Sequence, residues 1–432
     1  MANEIWIGAA QDVAQVVNCT VGGTWATADI LRCTIGGQAF IDVTVGTASA
    51  TTDVAAILAN AINASDLTSP LADESYTMAG QASGEFLDVI ASVSGSTVIL
   101  TSSIAGVDFT ATFSVVSSTS GTFGAVSTPT AATGKNWFDN TANWESGSVP
   151  GSGDVAVFAN GSVDCIRGLD TPAALAGVTR LGSYTGNIGL AKTNKTRTGY
   201  PYPEYRNRFL DVPSAAAVIR IGDGSGTNTG RTCINNGSTT AFYYVNDTAK
   251  QRDGLNPIEL VSTTGGSEFY ITKGDVDIGE RYGLSADIEH IRVYGGNVRV
   301  DGVVALASEL IVAGGVVETH MALTNFTLDL EVKGGKLIHH DGACPAIVVS
   351  GGTLDYRSDG ALTSVTVLPG GALTFDGDSR TKTVTDILLH DSAKFSDEKG
   401  VAIPSGDYHF VQTRPSVNTV LPRNYKYSPT AL

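Results

Sequence analysis

Between residues 286 and 376 apolar and polar side chains alternate with period two. Runs such as Ile291-Arg292-Val293, Leu310-Ile311-Val312, Leu330-Glu331-Val332 and Ile347-Val348-Val349 each stop at a Gly pair, and the alternation resumes at Val298, Val317, Leu337, Leu354 and Leu373. Period two predicts strands. The turns at Gly274-Asp275, Gly295-Gly296, Gly314-Gly315, Gly334-Gly335, Gly351-Gly352 and Gly370-Gly371 follow one another at steps of 21, 19, 20, 17 and 19 residues. A step that holds near 20 while the side chains change repeats backbone shape, which is the signature of a solenoid. Two strands joined by a Gly corner and closed by a third segment, such as 305–308 or 322–324, make one coil of a parallel β-helix. Inward Val, Leu and Ile then form a continuous core, and glycine supplies the φ > 0 corner at least cost. The absence of long amphipathic helices and of a leucine-rich-repeat asparagine position argues against other solenoids.

The first 116 residues carry a different pattern. Strand-like runs at 13–21, 30–35, 39–45, 86–93, 97–101 and 109–116 are separated by hairpin turns at Gly36-Gly37 and Gly95-Ser96. One helix interrupts them: Val54, Ile57, Leu58, Ala61 and Ile62 share a face, with Thr52 or Asp53 as cap and Asn63-Ala64-Ser65 as the stop. This predicts a small α+β docking domain over 1–116. A linker over 117–134 follows, with nine Ser or Thr and three Gly in eighteen residues. Residues 135–160, with Trp137 and Trp144, are expected to cap the open strand edge of a β-helix over 161–400. A loop excursion covers 191–210, and a terminal cap or tail covers 401–432. The fold class is therefore mainly β: a small N-terminal α+β domain and a single-chain parallel β-helix.

The 432 residues include 50 Gly and only 16% charged residues, which fits turn-rich β structure. A net charge of −16 and a pI near 4.7 disfavour a nucleic-acid partner, which would need a basic stripe. No segment has the apolar length of a membrane span, and the N-terminus lacks the layout of a secretory signal, so cytoplasmic synthesis is expected. The five cysteines, Cys19, Cys33, Cys165, Cys233 and Cys344, show no metal-ligand spacing and read as buried thiols. Cys19 and Cys33 could face each other across neighbouring strands.

Two groups of residues carry candidate chemistry. The segment 192–209 holds five of the 27 basic residues and four aromatics: Lys192, Lys195, Arg197, Tyr200, Tyr202, Tyr205, Arg206, Arg208 and Phe209 are among them. Tyr and Arg anchor interfaces, so this loop either contacts a partner subunit or packs on its own β-helix. The tail from Thr413, with Arg414, Arg423 and Lys426, either wraps a neighbour or caps the last coil. Stacking the coils by their Gly pairs also aligns Asp301, His320, His340, Arg357 and Asp376 in one polar column. In a groove such a column could serve catalysis or metal binding; at a strand end polar corner residues are expected in any case. No nucleotide-binding, nucleophile-elbow or zinc-protease motif occurs, so an enzyme, a cofactor and a resident metal are not expected.

The order of parts carries a further resemblance. A Met-Ala-Asn-x-x-Trp start is followed by a β-rich domain with the Ala-Ile-Leu-Ala-Asn-Ala-Ile-Asn-Ala-Ser helix. The Trp137 to Phe158 segment and Gly-Gly coils come next. Together these parts resemble structural proteins of tailed bacteriophages, over nearly the whole chain. The resemblance implies a virion protein assembled in a host cytoplasm, with the major capsid protein or other virion proteins as partners. Self-association as a trimer, and contact with a host-surface glycan, belong to the same expectation; a membrane does not. Head decoration is favoured over a tail fibre because no long trimeric shaft or coiled coil is present. A tailspike-like receptor-binding β-helix and a bacterial surface adhesin are the alternatives.

Overall fold

The computed structural model describes residues 2–37, 39–46, 50–64, 76–81, 84–170, 173–194, 201–225, 230–237, 239–250, 256–262, 266–279, 286–301, 304–324, 326–404, 408–410, 419–420 and 428–429. Two parallel stacks dominate it, one sheet of 15 strands and one of 11. The chain alternates between them, and residues 155–396 make about nine turns of a β-solenoid. Each turn runs from a longer strand, such as Ala286–Val293, through a Gly corner to a short one, such as Asn297–Val300, and returns to the first sheet at Val304–Val312. The expected third segment at 305–308 is the leading part of that last strand, while 322–324 lies in a turn. Like positions sit over one another. Val298, Val317, Leu337, Leu354, Leu373 and Phe395 are in register across successive coils, and none is more than 2% exposed. Earlier in the stack Tyr243 and Phe269 fill the interior as a parallel pair with centroids 4.4 Å apart.

The Gly pairs do two different jobs. Gly296, Gly315 and Gly335, the second members, have φ of +85°, +70° and +64°. Their partners Gly295, Gly314 and Gly334 are not left-handed; a Cβ there would lie 2.4, 2.3 and 2.5 Å from the carbonyl oxygens of Thr272, Tyr294 and Ala313 on the preceding coil. At Gly351-Gly352 neither residue is left-handed, and a Cβ on either would meet the coil below. The corner therefore demands glycine as much for close approach between coils as for φ.

The open end of the solenoid is sealed by the start of the chain. Asn3–Ile5 pairs in parallel with Val155–Phe158 as the first rung, ahead of the expected start at 161. Trp6 packs edge-on against Trp144 at 5.3 Å, within a buried aromatic group that includes Phe138 and Phe158. Trp144 thus has the expected capping position. Trp137 instead donates its indole N–H to the Gly106 carbonyl of the N-terminal domain at 2.8 Å. At the other end the described parts of the tail add rungs: Thr419–Val420 pairs with Lys394–Ser396, and Ser428–Pro429 with Tyr408–Phe410.

The N-terminal domain consists of two antiparallel sheets and the helix Thr51–Asn63 around a separate apolar core. Its helix buries Val54, Ile57, Leu58, Ala61 and Ile62 as the period predicts. The residue at its N-cap is Ala50, with no side-chain cap, so Thr52 and Asp53 stand inside the first turn. The segment expected to be a linker is part of this domain. Gly121–Phe123 and Ser127–Thr130 both pair with Val16–Gly23, because alternating small polar residues suit an edge strand as well as a loop. Cys19 and Cys33 lie in different sheets and, like the other three cysteines, are free and buried. Among the described residues no helix is long and apolar enough to cross a membrane.

Gly335→Ala should cost more than about 2 kcal/mol, combining a left-handed φ with a Cβ 2.4 Å from the Gly315 carbonyl oxygen. Gly147→Ala, at φ +74° with nothing within 4 Å, should cost about 1 kcal/mol. Urea unfolding of the two variants checks the difference; equal losses would mean that the coil-to-coil contact adds nothing.

Candidate functional site

The outward face of the short-stranded sheet is mostly polar. Strand alternation turns Glu259, Asp277, Arg299, Glu318, Ile338, Asp355, Thr374 and Ser396 outward, in one register column. Beside it, Asn256, Asp275, Asn297, Arg299 and Glu318 line a shallow pocket of about 180 Å³. Asn256 donates to the Asp277 carboxylate at 2.7 Å. Burial nevertheless pushes the Asp277 pKa up to about 6, assisted by the neighbouring Glu259 charge. Asp355 is the opposite case. Burial works to raise its pKa, but hydrogen bonds from Arg357 at 2.8 Å and Lys336 at 2.7 Å outweigh burial and hold it low.

Strand register keeps Asp301, His320, His340, Arg357 and Asp376 at equivalent positions of successive coils, as the Gly spacing predicts, but their side chains find different partners. Asp301 is buried and ion-paired with Arg299 at 2.5 Å. Arg357 turns to Asp355. Asp376 accepts hydrogen bonds from the Ser396 hydroxyl and, at 2.7 Å, from the Glu398 amide, so it braces the next coil. Only His320 and His340 come together, with rings stacked at 4.3 Å and 6° apart. Burial and the neighbouring His320 both lower the His340 pKa. His339 points inward: its Nδ1 lies 2.9 Å from the Thr319 hydroxyl and its Nε2 2.9 Å from the Gly342 carbonyl, and burial pushes its pKa down to about 4. Reading the sequence by Gly spacing misses Glu318, which stands beside both histidines; its signal is the i, i+2 spacing to His320, which puts both on one strand face.

The described residues of the basic, aromatic segment pack within the chain. Thr193–Asn194 and Tyr202–Pro203 pair as an antiparallel hairpin, whose Lys195, Arg197 and Tyr200 lie outside the described residues. Arg206 is buried and binds Glu204 at 2.7 Å, Asp88 at 3.2 Å and the Asp108 carbonyl at 2.8 Å. Tyr202 donates its hydroxyl to Asp88, and Tyr205 lies under Gly36, where a Cβ would come within 2.6 Å of its ring. On the other side Arg208 binds Glu259 at 2.8 Å, with Lys192 at 3.7 Å from the same carboxylate, and Phe209 packs with Cys233 and Val261. Of the two expectations for this loop, packing within the chain is what the described residues display. That packing is divided between the N-terminal domain, which takes Tyr202, Tyr205 and Arg206, and the coils, which take Lys192, Arg208 and Phe209.

Comparison with protein-family models, with curated proteins and with solved structures found no match for this chain.

Two outcomes are expected. Arg206→Ala leaves Asp88 and Glu204 buried without their cation and should destabilise the join between domain and solenoid by about 3–5 kcal/mol, seen as separate unfolding of the N-terminal domain under limited proteolysis. For Asp277 the folded pKa of about 6 exceeds the unfolded value, so the folded state binds more protons. Its contribution makes stability fall as pH rises from about 4 to about 6. Asp277→Asn should remove that component from a urea-unfolding series across the window; an unchanged slope would contradict the assignment.

Proposed function

We propose that this chain is a structural protein of a tailed-bacteriophage virion, a head decoration protein that stiffens or projects from the particle surface without catalytic turnover. The observation that carries the reading is the set of buried ion pairs and hydrogen bonds that joins globular domain and rod. The N-terminal domain is fixed to the first coils through Arg206 with Asp88, Arg167 with Asp108 and Trp137 with Gly106. Such a part suits a scaffold better than a hinge. The continuous apolar core and the in-register ladder supply stiffness along the rod. In this reading the globular domain docks on the capsid shell, or on a sister copy, and the solenoid points outward.

A tailspike-like glycan-binding role is the second reading. The pocket beside Asn256, Asn297 and Arg299 favours it, since amides and a guanidinium are hydroxyl-binding groups on an exposed sheet. The two readings differ in copy number. Quantitative mass spectrometry of purified virions, scored against the major capsid protein, should find hundreds of copies. A few to a few dozen copies would move the chain to the tail, and its absence from virions would overturn the proposal.

A further inference from the structure

We propose that Glu318, His320 and His340 form a binding site for a borderline divalent transition-metal ion such as Zn²⁺, clamping two successive coils of the solenoid. Glu318 and His320 stand two residues apart at the end of the strand Val316–Thr319 and so share its outer face. His340 holds the position of His320 one coil further on, where its amide donates to the Thr319 carbonyl at 2.9 Å. Glu318 Oε2 lies 3.7 Å from His320 Nε2 and 3.6 Å from His340 Nε2. All three ligand atoms fall within 4.8 Å of one another.

Both imidazole Nε2 atoms are buried and accept or donate no hydrogen bond. Buried polar atoms without a partner are costly, and two facing one carboxylate are rare by accident. An ion about 2.0–2.2 Å from each ligand needs ligand atoms some 3.3 Å apart. The two Glu318–imidazole separations are within a few tenths of an ångström of this, and the two stacked imidazoles, whose ligand atoms lie within 4.8 Å of each other, close on the ion by turning their edges together. Two imidazoles and one carboxylate suit zinc, nickel or cobalt and offer little to magnesium, which prefers oxygen. Asp341 Oδ2 stands 3.6 Å from His320 Nδ1, on the far side of that ring, where a carboxylate can orient a ligating histidine. The cation of the same column, Arg357, is engaged by Asp355 at 2.8 Å. A second group, Glu268, Glu289 and His290, has one imidazole and an exposed carboxylate, and is the weaker set.

Calorimetric titration of the full, tag-free chain with Zn²⁺ should find one ion per chain, with Mg²⁺ as the control that does not bind. His320→Ala, His340→Ala and Glu318→Gln should each weaken Zn²⁺ binding at least about tenfold, and His290→Ala should leave it unchanged. The same ion should raise the unfolding midpoint of the wild type, and should not do so in His340→Ala. Co²⁺ substitution gives a second readout, a visible d–d band lost in the two histidine variants. Absence of Zn²⁺ binding, or binding untouched by the histidine variants, would overturn the site.

Discussion

Close approach of one coil's main chain to the next at the glycine corners is the constraint on which the solenoid depends. With carbonyl oxygens of one coil where a Cβ of the next would sit, any side chain there pushes the coils apart and breaks the ladder on both sheets at once. Inward Val, Leu and Ile stabilise the rod only because this spacing holds them in contact. The apolar core and the corners are thus one device, in which the corners set the rise and the core supplies the free energy.

In-register stacking also governs the surface. Like positions lie about 4.8 Å apart in such a ladder, so an outward column of one charge would repel itself. The column on the short-stranded sheet alternates where it can: Asp277, Arg299 and Glu318 follow in turn, and Asp355 is held between Lys336 and Arg357. Glu259 beside Asp277 is the exception. Arg208 and Lys192 reach in to neutralise Glu259, and Asp277 holds its proton more tightly, chiefly because it is buried and to a lesser degree because Glu259 is near. The histidine pair is the second like-with-like step, and its two rings lie stacked face to face.

The join between the two bodies rests in part on residues 202–209, a short segment that serves both. Arg206 faces the N-terminal domain and Arg208 the solenoid, two residues apart on a backbone that runs between them. Each cation is buried with its carboxylates, which makes the geometry specific even where the net stabilisation of a buried pair is small. This arrangement converts a basic, tyrosine-rich segment, of the composition that elsewhere binds partners, into an internal latch.

Fold class and coil register were legible in the sequence because they depend on local signals: period-two alternation, Gly pairs near every twentieth residue, and a helical face over 54–62. The strands 30–35 and 39–45, and the Gly36-Gly37 turn between them, follow from the same signals. What sequence order could not supply was contact between distant segments. Asn3–Ile5 joins a strand more than 150 residues away, the apparent linker adds two strands to the N-terminal domain, and Arg206 and Arg208 turn inward to Asp88 and Glu259. The alignment of all five positions was readable from the repeat, but the side chains of Asp301, Arg357 and Asp376 turn to closer partners and leave only His320 and His340 together. Periodicity determines which face of a strand a residue occupies; which charge, ring or coil it meets there is decided only when the chain closes on itself.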